Sequence, residues 1–172
     1  MTPEEKEDLL ATSFSGEADQ AQTTVEYKQA LSRVMRLLAR REYSEQEIRR
    51  KLGDEYPATI LAVVIERCRA LDWLNEARMM AVFIRSRASR GYGPMRVMQE
   101  LRFKGLSAEP IKLALEACEI DWFAMAKQQA VRKVNEPAIL DRVARGKLLA
   151  FLQRRGFTSE QARYALTPSD EE

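Results

Sequence analysis

The chain has no histidine among its 172 residues. The commonest general base and the commonest metal ligand are therefore missing. It has only two cysteines, Cys68 and Cys118, each inside an apolar helical pattern. Two sulfurs alone do not build a tetrahedral zinc site, so buried free thiols are the expectation, with no metal and no cofactor. No apolar run approaches the roughly 20 residues that a membrane-spanning helix needs, so no membrane partner is expected. The opening Met1-Thr2-Pro3-Glu4-Glu5 lacks a basic segment followed by an apolar one, the mark of a secretory signal. Cytoplasmic location is the resulting expectation. No stretch alternates apolar and polar residues for long enough to mark a strand. Glu45 and Glu47 lie two apart on one helix and do not face each other, and no carboxylates are paired for acid–base work. Gly91 and Gly93 follow no strand and precede no Gly-Lys-Ser/Thr, which argues against a nucleotide loop. The absences point away from an enzyme and toward a protein that binds.

What the chain does have is segregated charge. The formal net charge is +2, yet residues 1–28 carry seven acids against two bases, and residues 168–172 add three acids. Residues 29–167 hold 26 bases and 16 acids, net +10. A basic body with acidic ends implies an anionic partner, and ends that compete for the same basic surface.

From about Tyr27 onward the apolar residues recur with helical period: Ala30, Leu31, Val34, Leu38; then Ala77, Met80, Ala81, Ile84, Ala88; then Phe123, Ala126, Ala130, Val134. The chain also repeats. A shift of 49 places Arg41, Tyr43, Ile48 and Leu52 on Arg90, Tyr92, Val97 and Leu101, and Asp72-Trp73 on Asp121-Trp122. A shift of 51 places Val97, Leu101, Gly105 and Ser107 on Leu148, Leu152, Gly156 and Thr158. A period near 50 fits three helices per unit. Ser44 with Glu47, and Thr158 with Gln161, read as capping boxes, Ser107 sits at the matching cap, and Asp72 and Asp121 are expected to cap the next unit's opening helix, each with its Trp packed beside it. The expected organisation is all-α: a flexible acidic arm over 1–24, three-helix repeats over 25–74, 75–121 and 122–167, and an acidic tail over 168–172. Units this small share packing with their neighbours, so an elongated, curved array is expected. Gly146 interrupts the basic helix of the third repeat and leaves its start open.

The basic residues are the binding candidates. Arg33, Arg36 and Arg40 form one stripe. The second helices of the units carry Arg49, Arg50 and Lys51, then Arg96, Arg102 and Lys104, then Lys147, Arg154 and Arg155. Turns Gly105-Leu106-Ser107 and Gly156-Phe157-Thr158 resemble those of helix-turn-helix DNA readers. The helices after them offer few side chains suited to base edges, and the basic groups sit before the turns, which suits phosphates or an acidic protein surface.

The most informative stretch is Arg90-Gly91-Tyr92-Gly93-Pro94, continued by Arg96, Glu100-Leu101 and Lys104-Gly105. Gly91 suits a left-handed helix end, Pro94 a new first turn, and Gly105 the end of the short basic helix between them. This stretch resembles the signature of the RecX family, regulators of the RecA recombinase. Ser44 to Leu52 resembles that family's first repeat, and Lys147 to Phe157 its third. The resemblance implies tandem three-helix repeats in an extended, bent molecule. It also implies a non-enzymatic, monomeric modulator that binds the RecA filament on single-stranded DNA and restrains filament growth, ATP hydrolysis, strand exchange and SOS co-protease activity. The residues expected to face the partner are Arg49, Arg50, Lys51, Arg90, Tyr92, Arg96, Lys104, Lys147, Arg154 and Arg155. Direct binding to single- or double-stranded DNA, weak beside the filament or as the main activity, and a helical-repeat adaptor for another protein stay open.

Overall fold

A computed structural model describes residues 24–168. The acidic arm, apart from Thr24, and the acidic tail, apart from Pro168, lie outside the described residues. Among the described residues there are nine α-helices and no strand. They are α1 (Val25–Leu38), α2 (Glu45–Leu52), α3 (Ala58–Ala70), α4 (Glu76–Ser89), α5 (Pro94–Phe103), α6 (Ala108–Ala117), α7 (Trp122–Val134), α8 (Arg142–Arg154) and α9 (Ser159–Tyr164). A single 3₁₀ turn, Pro137–Ile139, stands between α7 and α8. The helices fall into two compact units that divide after Glu76.

The first unit is one three-helix domain, α1 to α3. Its core is built from Val34, Ile48, Leu52, Leu61, Val64, Ile65 and Cys68, each at most 1% exposed. Thr24 caps α1 through the Tyr27 N–H. Ser44 and Glu47 form the expected capping box on α2, with the Glu47 N–H donating to Ser44 Oγ at 3.1 Å and the Ser44 N–H to Glu47 Oε2 at 3.0 Å. Each such cap contributes about 1 kcal/mol. Burial holds the Cys68 thiol above its ordinary value, partly offset by Arg67, and both cysteines are free.

The second unit holds two three-helix domains, α4 to α6 and α7 to α9. Met79, Met80, Ile84, Val97, Leu101 and Ile111 make one core. Ala126, Ala130, Leu148, Leu152, Phe157 and Ala162 make the other. Trp122 packs against both, so its indole bridges the two cores. Asp121 caps α7 as expected, accepting from the Ala124 N–H at 2.9 Å, and Thr158 with Gln161 forms the capping box of α9. Ser107 is the N-cap residue of α6.

Three details differ from, or sharpen, the sequence-based expectation. Asp72 is not the N-cap residue of α4: that helix opens at Glu76, so the cap position falls at Asn75, whose side chain donates to Asp72 Oδ1 at 2.9 Å. Asp72 instead turns the chain out of α3 in the left-handed region, φ 55°, the role Glu119 (φ 50°) plays after α6. Trp73 is 40% exposed, whereas Trp122 packs against two cores. The 49-residue shift that superimposes the two Asp-Trp pairs therefore breaks where the linkers differ in length. Gly146, in turn, does not delay α8. That helix starts at Arg142, with Asp141 Oδ1 accepting from the Val143 and Ala144 N–H groups at 2.9 Å each, and runs through Gly146 unbroken.

Candidate partner-binding surface

Gly91 and Gly93 answer to a joint inside the second unit. α5 has no side-chain cap. Its N-terminal N–H groups are satisfied by carbonyls from the far end of α8 instead: Gly93 N–H donates to Arg155 O at 2.8 Å and Met95 N–H to Gly156 O at 2.9 Å. One helix's orphan carbonyls thereby satisfy another helix's orphan N–H groups. The approach is close enough to exclude side chains. A Cβ on Gly93 would collide with the Gly156–Phe157 backbone, one on Gly156 with Arg96, and one on Gly91 with the buried Gln129 side chain. Gly156 also sits at φ 94°, where only glycine rests without strain.

Side chains lock the same joint. Arg155 Nη1 donates to Arg90 O at 2.9 Å. The Tyr92 ring is flanked by two guanidiniums, Arg96 at 4.2 Å and Arg155 at 5.2 Å from its centroid. Arg96 Nε donates to Glu100 Oε1 at 3.0 Å, and Arg87 Nε to Glu100 Oε2 at 2.6 Å. Burial pushes the Glu100 carboxyl up, but hydrogen bonds and charge from Arg96 and Arg87 outweigh it and hold the group below the usual carboxylate value. Of the residues expected to face a partner, Arg90, Tyr92, Arg96 and Arg155 are thus gathered at one place. Arg155 and Tyr92 tie the second and third domains together there.

Lys104, the residue closing α5, carries its ammonium 5.2 Å from the Phe83 centroid. Lys147 is exposed on α8. In the first unit Arg49 pairs with Glu45 at 2.8 Å, while Arg50 and Lys51 sit exposed in the last turn of α2. Arg33, from the α1 stripe, pairs with Glu55 at 3.1 Å.

Beside the joint, α5 and the last turn of α8 line an open groove of about 550 Å³. Met95, Met98 and Phe103 supply its apolar surface, Arg96, Arg102 and Arg154 its positive charge, and Glu100 a carboxylate. Met95 is 52% and Phe103 72% exposed. Sequence reading missed Met95 and Phe103 as surface residues because it followed the basic side chains of this helix. The available signal was phase: the buried Val97 and Leu101 put Phe103 off the core-facing stripe. A second feature is the absence of acid from α7 and α8, which between them carry Lys127, Arg132, Lys133, Arg142, Arg145, Lys147 and Arg154.

Tandem three-helix domains, with a glycine-sealed joint in the second unit, define a helical-repeat protein. Comparison with known proteins names the kind. Family models described as the first, second and third three-helix domains of RecX match residues 30–68, 75–115 and 119–166, in that order. The chain is 41% identical over 145 residues to the regulatory protein RecX of Escherichia fergusonii, covering 78% of this chain and 87% of that one. The RecX proteins of Shigella boydii serotype 4 and Escherichia coli K12 match with the same identity and coverage. A solved structure described as regulatory protein RecX shares the fold, with a TM-score of 0.69 at 22% identity over 80% of this chain and 71% of that one. The chain belongs to the RecX family of regulatory proteins.

Proposed function

We propose that this protein regulates RecA by binding the RecA filament on single-stranded DNA and restraining its growth, ATP hydrolysis, strand exchange and co-protease activity, with no chemistry of its own. The observation that carries the reading is the match of all three RecX domains in order, at 41% identity over most of the chain. The charge supports it. Residues 77–167 hold 17 bases against 8 acids, a surface suited to an acidic protein face or to the phosphates of the bound strand. Successive three-helix domains suit a partner that itself repeats, since contacts to several copies multiply affinity. The test is RecA-dependent ATP hydrolysis on single-stranded DNA with this protein titrated in. Suppression at substoichiometric protein is expected; no effect at a several-fold excess in low salt would remove the assignment.

The acid-free α7 and α8 favour one second reading, direct binding of nucleic acid through its phosphates. It predicts affinity for bare single strands that equals affinity for RecA filaments and falls steeply with salt.

A further inference from the structure

The groove between α5 and the end of α8 has a composition that general basicity does not explain. We propose that it is a docking site for an acidic protein segment bearing one or two large apolar side chains, and, resting on the RecA reading above, that this segment belongs to RecA. The apolar side chain would enter between Met95, Met98 and Phe103. Carboxylates flanking it would meet Arg96, Arg102 and Arg154. Thioether side chains are adaptable partners for aliphatic and aromatic groups. Planar guanidiniums pair carboxylates in two-pronged fashion. Gln99 and Gln153 also line the groove and can hydrogen-bond a peptide backbone.

Three observations favour a peptide over a nucleic-acid strand. A strand-binding platform needs successive aromatic faces, and this groove has one, Phe103. Glu100 lines the groove as well, and its carboxylate would repel phosphates, which run as an unbroken line of charge; a peptide can space its acids around it. The most acid-free surface, on α7 and the first turns of α8, is a different place from this groove. The groove is also held in shape before anything binds. Arg96 is fixed by Tyr92 and Glu100, and α5 is fixed to α8 by the two backbone hydrogen bonds of the joint. Preorganisation of that kind lowers the ordering cost of binding.

The experiment uses the full chain and two labelled peptides, one repeating Glu-Asp-Leu-Glu-Asp-Phe and one with every acid replaced by lysine, followed by fluorescence anisotropy. The acidic peptide is expected to bind at least about tenfold more tightly than the lysine peptide, and Phe103→Ala or Arg102→Glu to weaken it by about tenfold or more. The same variants are assayed for inhibition of RecA ATPase and for binding to an oligothymidylate. Inhibition should weaken by a similar factor and oligothymidylate binding should change less than about twofold, with the thermal unfolding midpoint unmoved. Equal binding of the two peptides, or indifference of the acidic one to both substitutions, overturns the groove. Parallel loss of oligothymidylate binding assigns the groove to a nucleic-acid strand and overturns it too. If the parent protein binds the acidic peptide but leaves RecA untouched, the RecA reading falls and the acidic-segment site stands. If the parent inhibits RecA and the variants inhibit equally well, RecA's contact lies elsewhere.

Discussion

The first unit and the second are built from the same three-helix plan, yet they end their turns by opposite means. Arg41-Glu42-Tyr43-Ser44 in the first corresponds to Arg90-Gly91-Tyr92-Gly93 in the second. Ser44 caps its helix with its own side chain, inside its own domain. Gly93 caps nothing with a side chain, and its helix is capped by the carbonyls of the third domain. The tyrosines follow suit. Tyr43 is buried under Arg41 of its own turn, at 3.7 Å, whereas Tyr92 is held between an arginine of its own domain and one from the next. Charge separates the units as well. Residues 29–76 hold nine bases and eight acids, and the arginines Arg33, Arg41, Arg49 and Arg69 all pair with glutamates. Residues 77–167 carry a net charge of +9. The difference teaches that a repeat can cap its second helix with its own side chain or take the cap from its neighbour through two residues, and that the unit with the borrowed cap also carries the excess charge.

The contrast breaks most sharply at Gly156. Alanine there forces a Cβ into Arg96 and a strained φ, and should cost the second unit about 2–4 kcal/mol, measured as a shift of its denaturant midpoint with the first unit's transition unmoved. Neighbouring arginines sharpen it next. Arg155→Ala removes a hydrogen bond to Arg90 O and a ring contact, and should cost about 1–2 kcal/mol, while Arg154→Ala should stay within about 0.5 kcal/mol in the same unfolding assay. In the first unit, Ser44→Ala should cost about 1 kcal/mol, confined to that unit's transition. Glu100 supplies a pH test. Its carboxyl lies below the ordinary value in the folded state, so its stabilisation is present above the unfolded carboxylate range and is lost as pH falls through the folded value. Glu100→Gln should flatten that acid-side decline in the second unit's stability, by up to about 1 kcal/mol. The smallest effect is kinetic: in a thiol-labelling time course the half-buried Cys118 should react before the fully buried Cys68.

Much of this fold was legible in the chain. Helical period, both capping boxes, Asp121, and the helix ends at Gly91 and Gly105 are local features, set within a turn or two by backbone sterics and side-chain hydrogen bonds. The Asp-Trp correspondence misled because a shift found by matching residue types assumes equal linker lengths. The candidate site was legible only in part. Basic side chains on the second helices could be counted, but Arg154 and Arg155, adjacent in sequence, point to different work, one lining a groove and the other tying two domains. Nothing local distinguishes them.

Composition and periodicity by themselves determined that the body of the chain is all-helical, repetitive and basic, because those properties follow from how many residues of each kind recur at each spacing. Which glycine must be glycine, which arginine is structural, and where apolar surface stays open beside charge were decided only when α5 met α8. Those properties depend on atoms some 60 residues apart coming into hydrogen-bond contact, as Arg90 and Arg155 do, and no spacing rule within one helix contains that information.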